Sequence, residues 1–302
     1  MQRCWGGVAC ALLLLFFPLV RARGAEDLAS QVARAQKNAV IELAGDVIAG
    51  AALTNANGAE ITLRGVGDEP ARLYGLWIES GTFYIDNAVI YPPAGEEGAA
   101  LTIDGNADVT LRQNAAVLGD VSLRSQGEAW LRCYGGISGT LNAVAEAGAQ
   151  LQVVNPGTIG GLNLRASNAF VTCSNTGVTE SGAYLSVSGE EGGITLVNAP
   201  EASLRGGVTC RTTAYRGAYA AVTLENEGQI KGGVRAAGTV VLVDYGSISG
   251  GIHTRLGERA QGFAYVYLPR VQPDTPRMRA RACHTAYKRY QKDPRDVCFR
   301  FE

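Results

Sequence analysis

Two aspartates in turn-like phrases are the best candidates for acid chemistry in this chain. Asp86 lies in Tyr84-Ile-Asp-Asn87 and Asp104 in Thr102-Ile-Asp-Gly105, 18 positions later. If the chain coils with a period near that number, the two carboxylates stack on neighbouring turns. A stacked pair can bind Ca²⁺, raise the pKa of one partner, or hydrolyse a glycosidic bond. Asp also occupies such phrases because it hydrogen-bonds to the turn backbone, and we favour this second interpretation.

Arginines recur at one position of a repeated phrase. Planar guanidinium groups in a row suit the carboxylate or sulfate groups of an extended polysaccharide. The alternative is a solvated face on which the arginines pair with nearby acids, which a net charge of -1 favours. The position that follows each glycine step and is predicted to face outward carries, in order, Arg124, Val144, Arg165, Arg211, Ala237 and Arg255.

Apart from Cys4 and Cys10 near the start of the chain, the cysteines divide into two groups. Cys133, Cys173 and Cys210 lie within apolar strand patterns, which predicts small buried hydrophobic side chains and not functional thiols. Cys283 and Cys298 enclose a short loop in a polar tail and are the best disulfide candidates in an oxidising compartment.

The overall composition gives no sign of a nucleic-acid partner, because only 18% of the residues are charged and the two signs nearly balance. The two histidines, His253 and His284, have no partner at a metal-ligand spacing. We therefore expect no cofactor, with Ca²⁺ at the two aspartates as the alternative.

A repeated phrase determines how these residues are positioned. An aliphatic residue, a short glycine step and another aliphatic residue recur at intervals that are typical of a stacked solenoid. Between the copies lie short runs of alternating apolar and polar residues, which predict β-strands. A parallel coil requires such a phrase because each turn repeats the bend of the turn beneath it. The copies are Val117–Val121, Ile137–Leu141, Ile159–Leu162, Leu204–Val208, Ile230–Val234 and Ile248–Ile252.

A second strand position sets a register for the turns. Aligning Leu131-Arg-Cys133, Leu151-Gln-Val153 and Val171-Thr-Cys173 places Cys133 and Cys173 in one inward column, two turns apart, too far for a disulfide. Asparagines follow this strand, and we expect their amides to form a structural ladder between turns and not a ligand site. They are Asn155, Asn175, Asn198 and Asn226.

The phrases Asn155-Pro-Gly-Thr-Ile-Gly-Gly and Asn226-Glu-Gly-Gln-Ile-Lys-Gly-Gly-Val resemble repeats of right-handed parallel β-helices in autotransporter passenger domains. The opening Val40-Ile-Glu-Leu-Ala-Gly-Asp46 resembles the first coil of pectate-lyase-like β-helix proteins. The resemblance covers roughly residues 28 to 269 and implies a fold more than a function. We expect no C-terminal autotransporter barrel, and we find no polygalacturonase or pectate-lyase signature in the solenoid.

The two ends of the chain differ from its middle. Arg3 and the apolar run Val8 to Val20 predict a signal peptide over residues 1–24, cleaved after Ala22 or Gly24. The run is short for a bilayer, so we expect no transmembrane span in the mature chain. Asp27 is predicted to cap a short amphipathic helix that covers the first turn. A basic tail, residues 270–302, is predicted to cap the last turn.

The sequence therefore predicts an all-β protein, a single right-handed parallel β-helix over residues 25–269 with a helical N-terminal cap and a disulfide-linked C-terminal cap. The predicted function is a secreted or periplasmic, non-catalytic solenoid that binds glycans or cell-surface partners, as adhesins do. The alternative is a polysaccharide lyase or glycoside hydrolase using Asp86 or Asp104.

Overall fold

Alternating apolar and polar residues fold most of the chain into short strands that stack turn upon turn. The computed structural model describes residues 19–21, 25–49, 51–95, 97–255, 264–268 and 297–301. Every strand pairing in these residues is parallel, and the chain winds as a right-handed β-solenoid with one short helix. The predicted all-β solenoid is confirmed.

The helix, α1, spans Ala25–Arg34 and lies between the first two strands. Several long strands bend at a corner and contribute to two sides of the solenoid. The strands are β1 (Leu19–Arg21), β2 (Ala39–Leu43), β3 (Asp46–Ile48), β4 (Leu53–Thr54), β5 (Glu60–Gly65), β6 (Ala71–Tyr74), β7 (Leu76–Asp86), β8 (Ala88–Tyr91), β9 (Leu101–Leu111), β10 (Ala116–Val117), β11 (Val121–Ser125), β12 (Glu128–Cys133), β13 (Gly136–Glu146), β14 (Gln150–Asn155), β15 (Thr158–Ser167), β16 (Phe170–Asn175), β17 (Val178–Thr179), β18 (Ala183–Asn198), β19 (Ser203–Leu204), β20 (Val208–Asn226), β21 (Gln229–Lys231), β22 (Val234–Ala237), β23 (Val240–Asp244), β24 (Ser247–Ser249), β25 (Ile252–Arg255), β26 (Ala264–Leu268) and β27 (Val297–Phe301).

Three parallel ladders form the three sides of the solenoid. The first side runs through β2, β5, the end of β7, the end of β9, β12, β14, β16, the ends of β18 and β20, and β23. The second side runs from β3 and β6 through the starts of β13 and β15 to β24. The third side runs from β4 and the starts of β7 and β9 through β11 to β22 and β25.

The core fills the space between the three sides. In β12, Ala129, Leu131 and Cys133 are buried, and the residues between them, Trp130 and Arg132, face outward. The same alternation holds along the other strands, so each turn adds a layer of aliphatic side chains to one continuous core. Burial of this apolar area is the main stabilising contribution to folding.

The glycine step forms the corner between the second and third sides. Gly207, Gly233 and Gly251 follow one another in successive turns with φ of +83°, +81° and +84°. A Cβ atom on Gly233 would lie 2.5 Å from the carbonyl oxygen of Gly251, and one on Gly207 would lie 2.8 Å from that of Gly233. Only glycine fits this left-handed and closely stacked bend, which explains why the phrase recurs.

The predicted asparagine ladder is confirmed at the corner between the first and second sides. The four side chains are fully buried, and each amide nitrogen donates to the amide oxygen one turn further on: Asn155 to Asn175 at 2.7 Å, Asn175 to Asn198 at 2.8 Å, and Asn198 to Asn226 at 2.7 Å. Asn226 then donates to Asp244 Oδ1 at 2.6 Å. These links span 20, 23, 28 and 18 residues of sequence, so turn length varies while the ladder continues.

The predicted column of Cys133 and Cys173 is wrong by one inward position. Cys173 pairs with Val153, which pairs with Leu131, so Cys133 lies in the next inward column along the strand. The prediction aligned Leu131 with Leu151. In the structure Leu151 pairs with Ala129, which is the first inward residue of β12. Cys133, Cys173 and Cys210 are buried, as the sequence predicted, and their thiols are free.

Helix α1 covers the first turn, as predicted. Leu28 and Val32 are fully buried, and the carbonyls at the end of the helix accept hydrogen bonds from Asn55 Nδ2, at 2.7 Å from Val32 and 3.0 Å from Ala35. The helix begins at Ala25, so Asp27 lies within its first helical turn. Asp27 is therefore not the N-cap that the sequence predicted. Among the described residues, no helix is long and apolar enough to cross a membrane.

The predicted tail falls largely outside the described residues, and so does Cys283. Its final stretch, β27, pairs in parallel with β26 and extends the first side, with Cys298 opposite Tyr265. The proposed Cys283–Cys298 link stays a prediction. At the other end, residues 19–21 of the predicted signal peptide form β1, which pairs with β2.

We predict that Asn175→Ala destabilises the protein by about 2–3 kcal/mol, because it leaves a buried acceptor on Asn198 without its donor and breaks the ladder in the middle. The matched control is Asn163→Ala, which removes the partly buried pair with Asn142 at 2.8 Å, where water can replace the lost bond. The control should cost less than about 1 kcal/mol by denaturant unfolding. Equal losses in the two variants would contradict a structural role specific to the buried ladder.

We predict that Asp244→Asn stabilises the protein more at pH 7 than at pH 4. Burial raises the pKa of Asp244, and the hydrogen bonds from Asn226 and Gly246 offset this only in part. The protonated Asp244 side chain contributes its full stability at pH values below the ordinary pKa near 3.8. This contribution is lost as pH rises through the higher folded-state pKa, because the buried carboxyl group then becomes charged. Asparagine keeps the acceptor and removes the buried charge. Unfolding free energies at the two pH values test this, with exposed Asp68→Asn as control; a gain independent of pH would contradict it.

Candidate ligand-binding surface

One outward row on the third side contains all the arginines that the sequence singled out. The register of β9, β11, β13, β15, β18, β20, β22 and β25 is continuous through this row. The sequence prediction left out Ser186, which lies between Arg165 and Arg211 in this row. With Ser186 in place, an arginine occurs on every second turn. We call these residues the arginine row: Asp104, Arg124, Val144, Arg165, Ser186, Arg211, Ala237 and Arg255.

Five arginines elsewhere on the described surface pair with carboxylates, whereas three arginines of the arginine row do not. Arg124, Arg165 and Arg211 are exposed and have no carboxylate partner among the described residues; Arg255 is placed by its backbone alone. The paired ones are Arg64 and Arg112 with Asp86 at 3.1 and 3.2 Å, Arg72 with Asp46 at 3.8 Å, Arg205 with Glu180 at 2.9 Å, and Arg132 with Asp108. The local pairing considered as an alternative is therefore present on other parts of the surface, and Arg124, Arg165 and Arg211 do not show it among the described residues.

An open groove of about 890 Å³ follows the arginine row from Asp104 to Ser186. The smaller side chains of Val144 and Ser186 alternate with the arginines along it, and Glu146 also lines it. The Arg165 guanidinium is held by its Nε, which donates to Asn163 Oδ1 at 3.2 Å. Asn163 in turn donates to Asn142 at 2.8 Å, so one arginine of the groove is oriented before any ligand arrives.

Sequence reasoning missed the row beside the arginines. Asn142, Asn163 and Tyr184 lie two residues before members of the arginine row and face the same way, and Arg235 continues this row towards the last turns. The alternation of the strands could have identified them, because residues i and i−2 share a face. His253 follows Arg235 in this row and is exposed.

The two candidate acids do not meet. Asp86 lies on the first side, in register with Arg64, and Asp104 lies on the third side, in register with Arg124. The prediction of a stacked carboxylate pair is wrong because a separation of 18 residues is shorter than this turn, which takes 26 residues from Tyr84 to Thr110. The Ca²⁺ site and the paired-acid hydrolase both depended on that stacking.

Asp86 is a structural anion. Burial raises its pKa, but the hydrogen bonds from Asn114 and Arg64 and the charges of Arg112 and Arg64 outweigh burial, so the net pKa lies below its ordinary value. A general acid needs the opposite shift. Within the described ranges, no three His, Cys, Asp or Glu side chains come together as metal ligands would.

Comparisons with protein-family models, with curated proteins and with solved structures find no match to this chain. The parallel β-helix architecture that the repeats resembled is present, but membership of the pectate-lyase-like family is not supported. Function must therefore be argued from the surface itself.

We predict that the three buried cysteines do not react with iodoacetamide in the native protein. Burial raises the pKa of Cys133, Cys173 and Cys210 to about 12, so at pH 8 the reactive thiolate is scarce as well as inaccessible. Peptide mapping by mass spectrometry should find them labelled only after unfolding and without a Cys133–Cys173 link. Thr172→Cys, at the exposed neighbouring position, is the control that should label at once; native labelling of Cys173 at a similar rate would contradict the assigned register.

Proposed function

We propose that this protein is a secreted or periplasmic, non-catalytic solenoid that binds an extended anionic glycan along the arginine row, in the manner of an adhesin. The observation that carries the proposal is the alignment of Arg124, Arg165 and Arg211, which are exposed on alternate turns of one row and have no carboxylate partner among the described residues, whereas five arginines elsewhere are paired. A carboxylate- or sulfate-bearing polymer supplies the missing anions.

The spacing of the row favours a polymer over a small ligand. Turns of a parallel sheet stack about 4.8 Å apart, so arginines on alternate turns repeat at about 9.6 Å along the axis. A linear polyanion that lies parallel to the axis meets Arg124, Arg165 and Arg211 in turn. Each exposed contact is weak, and several along one chain add through multivalency.

A binding role is favoured over hydrolysis by the placement of the acids. The two acids that the sequence singled out do not flank one site, because Asp104 lines the groove and Asp86 is held between two arginines on another side. Glycoside hydrolysis uses two carboxyl groups that flank the bond to be cleaved.

Secretion is proposed from the sequence alone. Removal of residues 1–24 takes away β1 and leaves α1 and β2 as the first turn. An oxidising compartment also suits the proposed Cys283–Cys298 link, which would hold the basic tail against the last turn.

Reversal of the arginine row should abolish glycan retention. We predict that the triple variant Arg124→Glu, Arg165→Glu and Arg211→Glu binds immobilised heparin or polygalacturonate at least about tenfold more weakly than the wild-type protein, since three attractive contacts become repulsive. Binding by the wild-type protein should also weaken with added salt. Surface plasmon resonance over a salt series measures both effects.

The control changes the net charge by the same amount elsewhere. Arg34, Lys37 and Lys231 are exposed and lie away from the third side, so their reversal to Glu should leave retention nearly unchanged. If the two triple variants lost glycan retention equally, the change in net charge alone would explain the loss. That result would overturn the assignment of glycan binding to the arginine row. Release of reducing or unsaturated ends from the polymer by the wild-type protein would overturn the non-catalytic proposal.

A further inference from the structure

A depression on the first side is separate from the arginine row. Its floor is Thr110, which is nearly buried although it occupies an outward position of β9. The residues in register with it are much larger, Tyr84 on the preceding turn and Arg132 on the following turn. A small residue between two large ones leaves a cavity of about 750 Å³, which Arg112, Gln113, Asn114 and Tyr134 also line.

Tyr84 forms an aromatic wall of the depression and is held in place. The Arg112 guanidinium lies 5.3 Å from the centre of the Tyr84 ring, and that of Arg132, which also lines the depression, lies 4.9 Å from the Trp130 ring outside it. Stacked guanidinium groups restrict the rings on which they lie. Tyr134 is 46% exposed at the rim, so an aromatic side chain there is available to a ligand.

The charges of the depression are already satisfied. Arg112 pairs with Asp86 at 3.2 Å, and Arg132 pairs with Asp108, which itself lines the cavity. An anion therefore gains little here, in contrast to the arginine row. What remains for a ligand is an aromatic surface beside a hydroxyl, carboxamides and a carboxylate, which are hydrogen-bonding groups for a neutral polar molecule.

We propose that this depression binds a neutral sugar ring. The apolar face of a pyranose packs against Tyr134, and its hydroxyl groups bond to the exposed carboxamide of Gln113 and to the carboxylate of Asp108. The floor at Thr110 sets the depth to which the ring enters. This site does not depend on the proposed function of the arginine row, because its residues, side and ligand charge all differ.

The experiment titrates the full chain with a panel of neutral tetrasaccharides: glucan, xylan, mannan and N-acetylglucosamine oligomers. We expect at least one to bind by calorimetry. Tyr134→Ala should weaken that binding by roughly fivefold to tenfold through loss of the stacked ring. Thr110→Leu, which fills the floor, should abolish it, and circular dichroism melts of both variants check that the fold persists.

The control is Phe170→Ala, which removes a side chain that is 54% exposed on the same side but outside the depression. It should bind as the wild-type protein does, and so should the triple arginine-row variant. Failure of every panel member to bind overturns the proposal, as does binding that survives both Tyr134→Ala and Thr110→Leu. Loss of sugar binding in the triple arginine-row variant would show that the sugar binds on the third side, and this result would also overturn the proposal.

Discussion

The structure depends on backbone hydrogen bonds that run between turns and not within them. At the corner after the asparagine ladder, Gly157 donates to the Cys133 carbonyl at 2.9 Å and Gly177 to that of Asn155 at 2.8 Å. A turn can make these bonds only if it bends where its neighbour bends. From Gly135 to Gly246, each turn places a glycine, a buried asparagine or both at this corner. This constraint selects the stacked glycines and asparagines before any surface residue is specified.

The same constraint turns single residues into rows. A residue that faces outward in one turn lies about 4.8 Å from the outward residue in the next, so like and unlike charges meet at short range along each side. On the first side one row alternates in sign from Glu42 through Arg64 to Asp86, and Asp86 is held by Arg64 and Arg112. On the third side the arginines alternate with small residues instead. Separation by Val144 and Ser186 reduces repulsion between Arg124, Arg165 and Arg211.

Features fixed by the corner could be predicted from the sequence. The arginine row begins a few residues after each glycine step, so counting from the glycines placed Arg124, Arg165 and Arg211 correctly. Ser186 was missed because its corner, Ser181-Gly182, departs from the repeated phrase. Features that require counting around a whole turn were not predictable. The lengths of the turns differ by up to ten residues. For this reason the sequence did not show that Asp86 and Asp104 lie on different sides, nor which arginines pair with Asp86. The Thr110 depression was hidden for the same reason, since it depends on which residues stand above and below.

The most direct test of the account is the distance between two spin labels on one row. Positions 124 and 211 are separated by four steps of the register, through 144, 165 and 186. At about 4.8 Å per step, their backbones should lie about 19 Å apart. Double electron–electron resonance on the doubly labelled protein should give one narrow distribution near that value, broadened only by the label arms. A distribution centred far beyond it, or several separated distances, would show that these turns do not stack in register and would contradict the account.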